Sequence, residues 1–138
     1  MQRRPLIVAA ALAACLPLAH TAAQAQDFPP KKPVTMVVGF AAGGSADIAA
    51  RVIAKKLGEN IGQSVIVDNK PGAGGNLAHA QVAAGPADGT VLLFGSIGPL
   101  SIAPHFMSVR YDPLKDLAPI TMGVTFPNVL VVPASTGI

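Results

Sequence analysis

Apolar and polar positions along this chain fall into blocks whose period changes from strand to helix and back. Val34-Thr35-Met36-Val37-Val38 is a short apolar, β-branched run that reads as a buried strand. A glycine-rich stretch, Gly39 to Asp47, follows it. After that, Ile48, Ala49, Val52, Ile53, Leu57 and Ile61 recur at helical spacing, with Arg51, Lys55, Lys56, Glu59 and Asn60 on the wet side. Ser45 occupies the expected N-cap, Asp47 lies in the first turn, and Gly62 closes the helix. Ser64 to Asn69 is a second buried-type strand, broken by Pro71-Gly72-Ala73-Gly74-Gly75. Asn76 is read as the N-cap of a second helix running to about Ala84, with Leu77, Ala80, Gln81, Val82 and Ala84 against a sheet. After the Gly85 to Gly89 turn, Val91 to Phe94 is a third strand ending at Gly95-Ser96. A short helix is expected from Pro99 to Phe106. Two more strands are expected over Ala118–Val124 and Asn128–Val132.

Strands that alternate with helices through short connections predict an α/β fold, a parallel sheet with helices on both faces and right-handed crossovers. Each glycine loop then lies at the carboxyl end of a strand, where open α/β sheets bind ligands. Backbone N–H groups at such a helix start attract anions, and glycines let a ligand oxygen come close.

The first 25 residues have a different character. Arg3 and Arg4 precede an almost wholly apolar run from Pro5 to Ala19, and Ala23-Gln24-Ala25 places small residues at −3 and −1. This is the layout of a secretory signal peptide cleaved after Ala25, and about 15 apolar residues are too few to span a bilayer. The protein is therefore expected in the periplasm. Leu12-Ala13-Ala14-Cys15 also resembles a lipobox, which would make Cys15 a lipid anchor, but the apolar run continues past it to the better-placed Ala-x-Ala site.

Removing that segment takes Arg3 and Arg4 from the ten Lys and Arg, leaving them close in number to the seven Asp and Glu. The remaining cations are scattered and the chain has one Tyr and no Trp, so no nucleic-acid footprint exists. The only cysteine, Cys15, leaves with the signal, which excludes a disulfide framework or a thiol nucleophile.

Neither glycine loop carries a nucleotide signature. Gly43-Gly44-Ser45 lacks the P-loop lysine, and Gly72-Ala73-Gly74-Gly75-Asn76-Leu77 follows the second strand and ends in Leu. No cofactor is expected. His79 and His105 have no second ligand at metal spacing and are read as surface or satisfied histidines, so no metal is expected. Asp47 has no partner acid or nucleophile beside it and is read as a capping or water-binding carboxylate. Ser45 has no histidine partner and Gly-x-Ser-x-Gly is absent, so no catalytic residues are expected.

Three motifs in order carry a resemblance. They are Lys-Pro-Val-Thr-Met-Val-Val-Gly-Phe-Ala-Ala-Gly-Gly-Ser-Ala-Asp (32–47), Val-Asp-Asn-Lys-Pro-Gly-Ala-Gly-Gly-Asn (67–76) and Tyr-Asp-Pro-Leu-Lys-Asp-Leu-Ala-Pro-Ile (111–120). Following an export signal, they closely resemble the substrate-binding receptors of tripartite tricarboxylate transporters, the Bug family. The resemblance runs from about Pro33 to Pro133. It implies a two-domain periplasmic flytrap fold, a small carboxylated ligand, a two-subunit membrane permease as partner, and no enzymatic activity. It further implies that Phe40, Ala42, Gly43, Gly44 and Ser45 form the carboxylate loop, with donors from the backbones of residues 42–44 and from the Ser45 hydroxyl. Asp47 would cap or hold a bridging water. Ser96 would line the same cleft, and Gly72, Gly74, Gly75 and Asn76 match the second motif, with close packing as their alternative role. One departure is Gly39-Phe40-Ala41, where family members often have prolines flanking the phenylalanine.

Members of that family are more than twice as long. Residues 26–138 are therefore expected to form the first ligand-binding domain, with about 125–138 leading towards a second domain that is largely missing. Such a truncated chain would bind carboxylates weakly and self-associate through the apolar 129–132 segment. Two alternatives stand beside the receptor: an exported α/β hydrolase or nucleotide-binding enzyme, and a non-binding fragment.

Overall fold

A computed structural model describes residues 30–127 and 129–137. The signal segment lies outside the described residues. Three strands form a parallel sheet in the order β2-β1-β3: β1 is Val34–Val38, β2 is Val65–Asn69 and β3 is Val91–Phe94. Val34 pairs with Val65, and Val38 is level with Asn69 on one side and Phe94 on the other. As the central strand, β1 is the most deeply buried, with Val34, Met36, Val37 and Val38 all in the core.

Helix α1, Ser45–Ile61, connects β1 to β2 on one face of the sheet. Ala46, Ala50, Ile53, Ala54 and Leu57 pack there on Met36, Val38, Val65, Val67, Leu92 and Phe94. The alanines recur at four-residue intervals and let the helix lie close to the strands. This corrects the expected apolar face: Ile48 and Val52 point outward, at 59% and 66% exposure. They sit about 200° around the helix from Ala46 and its successors, so the stripe of small residues won the sheet. Gly62, at φ 66°, ends α1 by donating its N–H to the Gly58 carbonyl.

Helix α2, Asn76–Ala83, lies on the opposite face against β1 and β3. Its buried residues are Ala78 and His79, whereas the expected contacts Leu77, Gln81 and Ala84 are exposed. The segment Gly98–Ile102 forms a π turn that runs into the short helix α3, Ala103–Phe106, close to the expected helix.

The two further strands are absent: residues 118–124 and 129–132 join no ladder among the described residues. A run of apolar residues becomes a strand only when a neighbouring edge takes its N–H and C=O groups. Here the first of these segments lies against a face instead, since a Cβ at Gly123 would be 3.2 Å from Ile53 Cδ1 and 3.5 Å from Phe94 Cε2. Asn128 lies outside the described residues.

Candidate functional site

Because all three strands are parallel, the segments leaving β1, β2 and β3 emerge at one edge of the sheet. The connection from β1 turns to the α1 face and returns at β2, whereas the chain then crosses behind β1 to reach β3. The order 2-1-3 therefore reverses between β1 and β3, and such a reversal opens a crevice at the carboxyl ends of the strands. Phe40, Ala42, Gly43, Gly44 and Ser45 follow the carboxyl end of β1, and Ser96 follows that of β3.

The second loop is drawn in behind the first. A Cβ at Gly39 would be 2.9 Å from Gly75 Cα, and one at Gly75 would be 3.5 Å from the Phe40 ring. Gly75 also holds φ 97°, a left-handed conformation that favours glycine. Gly75 thus serves close packing, and Gly72 at φ 151° and Gly74 at φ 64° serve the tight turn that Asn76 follows. The Asn76 side chain donates to the Ala73 carbonyl at 2.8 Å. It lies inside the first turn of α2, so the N-cap position belongs to Gly75 rather than to Asn76.

A similar shift applies to α1. Gly44 takes the N-cap position, and no side chain caps the helix. Ser45 is the first helical residue and is exposed, so its hydroxyl is not consumed by capping. The first helical bond runs from Ile48 N to Gly44 O, which leaves the N–H groups of Ser45, Ala46 and Asp47 ahead of the ladder.

Asp47 is 3% exposed and does not cap by its own first-turn position alone. Its Oδ2 accepts the Gly43 N–H at 2.8 Å and Arg51 Nε at 3.0 Å. Its Oδ1 accepts Asn69 Nδ2 at 3.0 Å and forms an ion pair with Arg51 Nη2 at 3.0 Å. The fork of Arg51, then the Gly43 N–H and then Asn69, lowers the Asp47 pKa to about 2. The Gly43 N–H is thereby engaged inside the loop, and Ala42, Gly44 and Ser45 lie exposed beside it.

His79 is fully buried beneath the third segment. Its Nδ1 is 2.9 Å from the Gly75 carbonyl, which places the proton on that nitrogen, and its Nε2 receives the Ser96 N–H at 3.4 Å. Burial holds the ring below its ordinary pKa and therefore neutral. With both nitrogens occupied, His79 is a structural histidine rather than a free base. Tyr111 lies beside it with ring centroids 5.9 Å apart. The Tyr111 hydroxyl is 2.8 Å from both Asn76 Oδ1 and the Pro99 carbonyl, and ties α2 to the third segment. The Ser96 hydroxyl is buried with no partner among the described residues.

Sequence reasoning missed Arg51 and Asn69 as members of the site. The Asp47 to Arg51 spacing, one helical turn, was a usable signal for the first. Nothing in the sequence alone placed Asn69 beside Asp47. No cluster of three or more metal-ligating side chains occurs among the described residues, and none of their helices is long and apolar enough to cross a membrane.

The three-stranded parallel sheet with helices on both faces is an α/β architecture similar to part of the periplasmic binding proteins. Residues 49–138 match the family described as tripartite tricarboxylate transporter family receptor, and the chain belongs to that family. A protein of the tcbD-tcbE intergenic region of Pseudomonas sp. (strain P51) is 40% identical over 129 residues, spanning 94% of this chain and 38% of the relative. Protein BugT of Bordetella pertussis is 43% identical over 104 residues, spanning 74% and 32%. Among solved structures, MatC from Rhodopseudomonas palustris with bound malate matches at TM-score 0.61 and 40% identity, over 63% of this chain and 30% of that one. R. palustris Rpa4515 with adipate matches at TM-score 0.56 and 39% identity, over 64% and 29%. The chain thus spans 32% to 43% of the length of its curated relatives, and the structural match covers 30% of the MatC chain.

Proposed function

We propose that this chain supplies one wall of a periplasmic solute receptor that captures a small carboxylate for a tripartite transporter. The observation that carries the reading is the β1–α1 loop at the reversal of strand order. There Ala42, Gly44 and Ser45 are exposed at the start of α1, where their N–H groups and the Ser45 hydroxyl would converge on a ligand. These are donors suited to a carboxylate, and the helix dipole adds to their pull. Phe40 gives the crevice an apolar edge, and Ser96 follows β3 on the other side with its hydroxyl buried. Gly43 and Asp47 hold the loop from within, and Gly72, Gly74, Gly75 and Asn76 support it from behind. Malate and adipate in the similar structures point to dicarboxylates as first candidates.

In this reading residues 26–138 form the first domain, the N-terminal 25 residues direct export, the delivery partner is a two-subunit permease, and the chain performs no catalysis. NMR titration of the chain with malate and adipate tests it. Saturable shifts are expected in the amides of residues 42–46, with no response to the corresponding diamides. Equal shifts with acids and diamides, or none with either, would defeat the proposal.

A further inference from the structure

An anion-binding loop with a carboxylate in its first helical turn presents an electrostatic conflict. Asp47 is ionised at any physiological pH, and it is bonded directly to the backbone of the loop that would receive a second negative charge. The structure contains a resolution that the receptor's fold does not require. Arg51 meets Asp47 as a two-pronged fork, Nε to Oδ2 and Nη2 to Oδ1, each at 3.0 Å. Arg51 Nη2 also donates to Asn69 Oδ1 at 3.1 Å. Asn69, turned by that bond, uses its Nδ2 to reach both Asp47 Oδ1 and the Phe40 carbonyl, each at 3.0 Å. The three side chains close a ring that grips the loop at two points, the Phe40 carbonyl and the Gly43 N–H.

We propose that Asp47, Arg51 and Asn69 form a charge-neutral clamp in which Arg51 and Asn69 are positioning residues for the anion loop. Asp47 holds the loop in shape, and Arg51 cancels its charge so that the same loop accepts a carboxylate. Asn69 fastens the clamp to the end of β2. The division of labour follows from the geometry. A planar fork suits a carboxylate as an ammonium does not, and an amide donates to Asp47 from its nitrogen while accepting from Arg51 at its oxygen. The depressed Asp47 pKa accords with the fork as its main cause.

This inference rests on the receptor reading, and its test separates the two. The full chain and the variants Arg51→Met, Arg51→Met with Asp47→Asn, and Lys56→Met are titrated with malate at low and high salt. Alongside, NMR follows the Gly43 amide and the Asp47 carboxyl titration without ligand. Lys56 serves as the control because it is an exposed cation of the same helix, paired only with Glu59.

Arg51→Met is expected to weaken malate binding by about tenfold at low salt, where the bared Asp47 charge is least screened, and by less at high salt. Adding Asp47→Asn should restore most of the loss, which a merely structural role for Arg51 would not produce. Lys56→Met should stay within about twofold of the parent. The Asp47 titration in Arg51→Met should move up towards the ordinary carboxylate value, with a shift of the Gly43 amide. Binding that survives Arg51→Met at low salt, or a loss that is independent of salt and not rescued by Asp47→Asn, overturns the clamp and leaves the receptor reading intact. A parent chain that binds no carboxylate removes the receptor reading and the clamp's role in binding together. The Gly43 and Asp47 signals then report whether the ring survives as a loop staple.

Discussion

The contact between the first two loops rests on two glycines that approach where side chains would otherwise keep them apart, and Gly39→Ala tests it. The added Cβ would lie 2.9 Å from Gly75 Cα, 3.2 Å from Gly75 O and 3.4 Å from Ala78 Cβ. The two shortest of these are backbone contacts, so no rotamer change relieves them. Gly75 has little room to retreat, because it is held at φ 97° and a Cβ built on it already falls 3.1 Å from Pro99 Cγ. Relief therefore requires the start of α2 to move away from the end of β1. Overpacking of this kind costs about 1–3 kcal/mol. For a domain of this size the melting temperature should fall by roughly 5–20 °C. Gly98→Ala is the matched control on the same edge of the sheet: its Cβ would meet nothing within 4 Å. That variant should be neutral or more stable by up to about 1 kcal/mol, because alanine restricts the unfolded chain. Urea unfolding of both, followed by circular dichroism, gives the comparison. Midpoints that fall together, or a Gly39→Ala midpoint equal to the parent's, would refute the close approach.

Tyr111→Phe should cost about 1–3 kcal/mol, because the Pro99 carbonyl loses a buried donor; unfolding by urea measures it, and an unchanged midpoint would remove the hydroxyl from the account. His79 is buried neutral with a pKa below its ordinary 6.5, so the unfolded state binds the extra proton. Its contribution to stability should be complete above that value and be lost as pH falls through the folded pKa, with His79→Gln flattening the slope below about pH 7. For Asp47, also depressed, the contribution should be complete above the ordinary 3.8 and be lost as pH falls through about 2, a separate and more acidic window. In the carboxylate titrations, Ser45→Ala should weaken binding by about 0.5–1.5 kcal/mol, and Gly44→Val should abolish it with the circular dichroism spectrum unchanged. A valine variant that binds like the parent would leave the loop with a purely structural role.

The three strands were legible because short apolar runs, β-branched in β1 and β2, are bounded by turn-forming residues that leave little else for them to do. The period of Ile48 to Ile61 correctly announced α1, but not which side of it meets the sheet. Two apolar stripes compete there. The choice fell to Ala46, Ala50 and Ala54, because only small residues let the helix approach the strands, and that distance is a property of the packed layers. The apolar segments 118–124 and 129–132 carry strand-like composition, yet pairing depends on an available edge, which composition does not encode. The site divides in the same way. Its glycines and Ser45 stand out in the sequence by their conformational and chemical character. The clamp joins residues 40, 43, 47, 51 and 69, of which Gly43, Asp47 and Arg51 follow at local four-residue spacings and Asn69 does not. Asn69 reaches Phe40 because β2 lies parallel to β1 with Asn69 level with Val38. Local sequence sets the dihedral preferences of each segment, whereas the crossovers and register decide which loop ends meet, and the site exists only where they do.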